Sequence, residues 1–140
     1  MSATEGPLLL DASTWLAAVD ELDQHHEPAR ELVRRRAVLA LDLTPYEAAN
    51  VAVVSWRSAE RAEAIRDLIL HRVARPLIAV TRARIGLAIT LAQRHDITVY
   101  DAAYAAVADE LRIQLVSCDV RDLVSNGLAV LPEDVVPDAS

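Results

Sequence analysis

Four acidic residues lie far apart in the chain but in comparable places: Asp11, Glu47, Asp101 and Asp119. Asp11 closes the apolar run PLLL, Asp101 directly follows ITVY, and Asp119 directly follows RIQLVSC. Each run reads as a short buried strand. In an open parallel sheet, ligands gather beyond the carboxyl ends of the strands, so acids at three such ends would face one edge. Glu47 belongs to TPYE, which starts the helix after the second strand, near the same edge. Clustered carboxylates repel and raise one another's pKa. A fold that gathers them is expected to compensate them with a cation. Carboxylates without a convergent His or Cys suit a hard ion, Mg2+ or Mn2+, rather than zinc. Such an ion activates water and steadies an in-line displacement at phosphorus. The chemistry these residues suggest is that of a phosphodiesterase or a phosphatase.

Each of the four also has an ordinary structural use. Asp and Glu are favoured at helix N-caps and first turns, where they meet free N–H groups and the positive end of the helix dipole. Thr44-Pro45-Tyr46-Glu47 fits a capping box, with Thr44 as N-cap, Pro45 in the first helical position and Glu47 in the third. The residues alone leave both uses open, and only the convergence of all four favours a cation.

Other chemical groups offer less. His25, His26, His71 and His95 are scattered, match no zinc spacing and are expected at the surface. Cys118 has no His signature nearby, so a buried structural thiol is expected rather than a nucleophile. Trp15, Trp56, Tyr46, Tyr100 and Tyr104 could stack on bases, although most are expected to pack, the two Trp in the core or at an interface. No Gly-rich phosphate loop is present, which argues against nucleoside-triphosphate hydrolysis.

The elements that must position the acids follow from the apolar pattern. Residues 7–10 read as the first strand. Ser13 or Asp11 caps a helix over 14–22, and Pro28 sits in the first turn of a second, 27–36. Residues 37–41 read as the second strand, and the TPYE helix runs to about Trp56. Ala62, Ile65, Ile69 and Val73 share one face of a helix that ends near Arg72. Residues 76–80 are a strand or an extended link, and Thr81 caps a helix to about Arg94. An Ala-rich helix runs from Asp101 to Leu111, a strand from Ile113 to Ser117, a short helix or turn over 119–125, and a last strand over 127–131. Short apolar strands alternating with helices predict an α/β chain with a mostly parallel sheet.

Composition bounds the rest. The chain has 140 residues, of which 53% are hydrophobic, enough for one domain with a real core and too few for two. One domain over 1–140 is expected, its core at 7–131 and a loose, Pro- and acid-rich tail at 132–140. Phe is absent, so Leu, Val, Ile and Ala must fill the core. No run is long enough to span a membrane, the N-terminus does not read as a secretory signal, and a lone Cys cannot form an internal disulfide. A cytoplasmic setting is the natural expectation. The net charge of −7 weighs against a simple nucleic-acid binder, but bound cations would invert the field locally. All 14 basic residues are Arg, with clusters at 34–36, 72–75 and 82–84. Arg suits phosphate recognition, although solvated helix faces are the plainer reading.

The order LLLDASTWL, LTPYEAANVA, ITVYDAAYAAVA, LVSCDVRDLV resembles the PIN-domain family, and within it the VapC-like toxins of toxin–antitoxin pairs. The resemblance runs from about Leu8 to Val130. It implies a three-layer sandwich, a mostly parallel sheet of four or five strands flanked by helices, and an endoribonuclease in which four acids bind Mg2+ or Mn2+. Asp11, Glu47, Asp101 and Asp119 match the family's acids. Ser13 and Ser117 match its small hydroxyl positions and could orient the carboxylates. Asp122 is a further acid where many members carry one, and a peripheral place is expected for it. Where the family often has an aromatic after the last acids, this chain has Leu123. The resemblance also implies an RNA substrate, products ending in 5′-phosphate and 3′-hydroxyl, a homodimer and a small antitoxin. An Arg of the antitoxin could pair with the acids. Helices around Val51 to Ile69 could supply the interfaces. Two alternatives stand beside this reading. One is a PIN-like module that only dimerises or binds. The other is a phosphatase using Asp11 as nucleophile, although the second Asp such chemistry wants is Ser13 here.

Overall fold

The computed structural model describes residues 6–135. Its centre is a parallel sheet of β1 (Leu8–Leu10), β2 (Val38–Leu39) and β3 (Gln114–Val116), in the order β2-β1-β3. Leu8 lies opposite Val38 on one side and Gln114 on the other. Single parallel bridges widen the sheet at both edges: Val73 joins Val38, Ile78 joins Leu41, and Val130 joins Val116. With these two flanking segments the sheet has five parallel rows, as expected for the α/β class. The segment over 127–131 is thereby reduced from a strand to one bridge.

Helices cover both faces: α1 (Ala12–Val19), α2 (His26–Arg35), α3 (Thr44–Val54), α4 (Ala59–Arg72), α5 (Arg82–His95) and α6 (Val99–Leu111). A π-helical turn follows at Val120–Val124, and a 3-10 turn at Pro132–Asp134. β1 and β2 are continuously apolar because both faces are buried, and β3 departs from this only at the exposed Gln114. Alternate strand residues enter different cores. Leu8, Leu10, Val38 and Val116 meet Trp15, Ala29, Ile65 and Ile69. Leu9, Leu39 and Leu115 meet Tyr104, Val107 and Leu123 on the other face. Ala88, Ala92, Ala102 and Ala106 let α5 and α6 approach closely, which is how a chain without Phe packs densely. No described helix is long and apolar enough to cross a membrane.

Three local expectations need correction. ITVY is not a strand end: Thr98 accepts the Asp101 N–H at 3.1 Å and starts α6 at Val99. Residues 132–135 are not loose, because Val135 and Pro132 are buried and His25 Nδ1 meets Glu133 Oε1 at 2.9 Å; the rest of the expected tail, 136–140, lies outside the described residues. His25 itself is buried rather than at the surface, held in the α1–α2 corner by that carboxylate. The Arg clusters serve the scaffold. The Arg72 guanidinium donates to the Val33 and Arg34 carbonyls at the end of α2, and Arg84 pairs with Glu110 at 2.9 Å.

Adjacent residues of α4 separate core from surface. Ile69 is 0% exposed and Leu70 is 51% exposed. Ile69→Ala is expected to cost about 2–5 kcal/mol in urea denaturation, and Leu70→Ala to stay within about 0.5 kcal/mol of the parent. Equal losses would contradict this placement of α4.

Candidate acidic site

Asp11 leaves the carboxyl end of β1 and caps α1. Its carboxylate is buried and both oxygens are hydrogen-bonded. Oδ1 accepts from Ser13 Oγ at 2.6 Å, from the Thr14 N–H at 3.1 Å and from Thr14 Oγ1 at 3.2 Å. Oδ2 accepts from Ser117 Oγ at 2.6 Å. Each serine passes the link onward to the loop after β3: Ser13 Oγ accepts the Cys118 N–H and Ser117 Oγ accepts the Asp119 N–H, both at 2.9 Å. Asp11 therefore fastens the loop that carries Asp119, and Ser13 and Ser117 are the fasteners.

Asp119 caps the π-helical turn by accepting the Asp122 N–H at 3.0 Å. Asp101 sits in the first turn of α6 with Thr98 as the cap, so capping does not occupy its own carboxylate. Carboxylate oxygens of Asp101, Asp119 and Asp122 lie within 4.8 Å of one another. Asp122, expected at the periphery, is thus a full member of the cluster. The signal that could have found it is its spacing: an acid three residues after a capping Asp lies one turn on, on the same side.

Glu47 is not part of a capping box. Leu43 takes the N-cap position of α3, with no side-chain cap bond. Thr44 Oγ1 turns back to accept the Leu41 N–H at 3.0 Å, and Glu47 Oε1 accepts from the buried Tyr104 hydroxyl at 2.6 Å. A partner 57 residues away outcompetes the local cap. Tyr104, expected to pack or to stack on a base, is instead tied to a candidate acid, a link that sequence reasoning missed.

The electrostatics are those of uncompensated acids. Burial pushes Asp101 up to about 6, reinforced by the charges of Asp119, Asp11 and Asp122. Burial also raises Glu47; the Tyr104 hydrogen bond opposes this, and the Asp11 and Asp101 charges add to it. Asp11 is raised by desolvation against the pull of its Ser117, Ser13 and Thr14 donors. Burial and the Asp11 charge push the Cys118 thiol up to about 12, which makes it a poor nucleophile. Among the described residues, the cation that meets this cluster is Arg121, 3.8 Å from Asp122 with its side chain 93% exposed, so it offsets little. Among the described residues no Arg or His pairs with Asp11, Glu47, Asp101 or Asp119. All-oxygen donors without His or Cys fit a hard divalent ion and not zinc. Tyr46 and Tyr100, each beside one of the acids in sequence, are exposed at the surface, while Trp15 is wholly buried.

A family model described as the PIN domain matches residues 8–125. No curated protein matches the sequence. Among solved structures, the chain is similar to VapC20 of Mycobacterium tuberculosis, described as a sarcin-ricin-loop-cleaving toxin. The TM-score is 0.70 at 21% identity, covering 86% of this chain and 95% of that one. It is also similar to a toxin–antitoxin complex from Klebsiella pneumoniae, with TM-score 0.64, 16% identity and coverage of 89% and 97%. VapBC2 of Rickettsia felis, bound to a DNA fragment from its promoter, aligns with TM-score 0.63 at 14% identity, covering 90% and 97%. At these identities the likeness is one of fold.

The raised Asp101 has a consequence for stability. Its folded-state pKa of about 6 exceeds the ordinary 3.8, so folding favours the protonated form. Its contribution is fully present below about pH 4 and is lost as pH rises through about 6. In chelator at pH 7, Asp101→Asn is expected to raise the thermal midpoint by a few degrees and to flatten this part of the pH profile. A lower midpoint for the variant would show that the charge is compensated within the protein.

Proposed function

Because the chain belongs to the PIN-domain family, we propose that it is a Mg2+- or Mn2+-dependent endoribonuclease, the toxin of a toxin–antitoxin pair. The observation that carries this reading is the cluster of Asp101, Asp119 and Asp122, with oxygens within 4.8 Å of one another and no buried cation beside them. Asp11, Asp101 and Asp119 are the residues assigned to hold the ion. Asp122 joins them, and Glu47 binds directly or through water. When bound, a divalent ion neutralises the acids, lowers the pKa of water and steadies the charge that develops at the phosphate.

The protein's own groups do the positioning. Ser13 and Ser117 fix both oxygens of Asp11, so this carboxylate keeps one orientation as charge moves nearby. The same serines hold the backbone of Cys118 and Asp119, which fixes where the Asp119 carboxylate stands. Asp101, Asp119 and Asp122 are only half-buried, so water would reach an ion held there from the solvent side. The exposed Tyr46 and Tyr100 line one apolar groove with Leu41, Ile78, Val80 and Ile85 and offer stacking faces there.

The partner in this reading is a small antitoxin whose cationic side chain, Arg by preference, occupies the acids when no ion does. The exposed Val53, Val54 and Leu70 on α3 and α4, and Ile85 and Ile89 on α5, supply apolar area for an antitoxin or a second copy in a homodimer.

Purified protein incubated with structured RNA and Mn2+ should yield discrete fragments on a denaturing gel, and none in excess EDTA. Asp11→Asn, Asp101→Asn and Asp119→Asn are each expected to lose at least about 100-fold, more than an outer-sphere change costs. Cleavage that survives EDTA, or that persists in all three variants, would contradict the assignment.

A further inference from the structure

Tyr104 lies three residues after Asp101 on α6, one turn along the same side of the helix. Its ring packs in the core beside Leu9, Leu39 and Leu115. Its hydroxyl reaches two groups of α3: Glu47 Oε1 at 2.6 Å and Thr44 Oγ1 at 2.8 Å. Thr44 is itself fully buried and accepts the Leu41 N–H from the end of β2 at 3.0 Å.

Counting protons gives this network a direction. Tyr104 has one hydroxyl proton and donates it to Glu47. Thr44 must then donate its own to Tyr104 Oη, and the Leu41 N–H completes the other side of Thr44. The chain runs from the backbone of Leu41 through Thr44 and Tyr104 to Glu47. Each member polarises the next in a region shielded from water. It crosses from the end of β2 through α3 to α6, the helix that also carries Asp101. Glu47 Oε2 takes no hydrogen bond from the described residues.

We infer that Tyr104 is a positioning residue of the acidic site: its hydroxyl, oriented by Thr44, holds Glu47 through Oε1 and leaves Oε2 as the oxygen available to a cation. This rests on the cation-binding reading above and extends it, since that reading gives Glu47 no fixed geometry. A merely structural alternative is concrete: Glu47 is there only to satisfy a buried tyrosine hydroxyl. In that case loss of the hydroxyl changes stability and leaves cation affinity alone.

Calorimetric titration with Mn2+ separates the two, with thermal unfolding in chelator confirming that each variant is folded. Tyr104→Phe is expected to weaken Mn2+ binding by about 10–100-fold, the range typical of groups that orient a metal ligand. Thr44→Val should weaken it in the same direction, and Thr44→Ser, which keeps the hydroxyl, should retain the parent affinity. In a Glu47→Gln background, Tyr104→Phe should cost nothing further, because its effect passes through Glu47. A folded Tyr104→Phe protein that binds Mn2+ like the parent overturns the inference, as does an equal loss with and without Glu47. Should Tyr104→Phe not fold, Thr44→Val with and without Glu47→Gln decides by the same comparison. If the parent protein binds no Mn2+, the cation reading fails and the inference falls with it. Parent binding together with unchanged Tyr104→Phe affinity overturns the inference alone.

Discussion

The buried carboxylate of Asp11 is the constraint from which the rest of the site follows. A carboxylate out of water is costly unless its oxygens are satisfied. Here Ser13, Thr14 and Ser117 satisfy them. Meeting that requirement does three structural jobs at once. The Thr14 N–H bond caps α1, the Ser117 bond ties β1 to the end of β3, and the serine oxygens orient the following backbone of Cys118 and Asp119. The loop that carries Asp119 is thus placed by the need to solvate Asp11.

A second consequence is electrostatic. With Asp11 fixed beneath the sheet edge, its charge acts on Glu47, Asp101 and Cys118, raising each. The fold then sets Asp119 and Asp122 against Asp101, with no buried Arg among the described residues to balance them. The basic residues are spent elsewhere, on α2, on α4 and between α5 and α6. A purely structural design would distribute these acids or pair them. Their accumulation is the kind of local rule-breaking expected at a functional site, where stability is given up for chemistry. On the proposed reading a net charge of −7 is compatible with a polyanionic substrate, because a bound divalent ion would set the local sign.

The features set by local pattern were legible in the sequence. Short apolar runs such as LLL and LV mark strand segments buried on both faces, and the polar residues that follow them mark the edge; this located Asp11 and Asp119. The α4 face of Ala62, Ile65 and Ile69 and the Thr81 cap of α5 were equally readable, since both depend on neighbours one turn away. The misses share a cause. ITVY has strand-like residues, but the Thr98 cap draws Val99 and Tyr100 into α6. TPYE has the residues of a capping box, but Tyr104 and Leu41 claim its side chains from another helix and the sheet. His25 is buried because Glu133 comes to it from the other end of the chain. Asp122 was expected at the periphery, although the turn capped by Asp119 three residues earlier brings it to the same side. In every case a specific hydrogen bond overrode a residue-type preference, across the fold for Glu47 and His25 and within one turn for Thr98 and Asp119.

The central claim is that the acids at this edge form a cation site. Anomalous diffraction at the manganese edge, from crystals equilibrated with Mn2+, tests it without reference to activity. The account predicts a peak bounded by the carboxylates of Asp101 and Asp119, at the distances of about 2.0–2.2 Å that hard divalent ions keep from carboxylate oxygens. A saturated crystal with the four carboxylates in these positions and no anomalous density among them would contradict it.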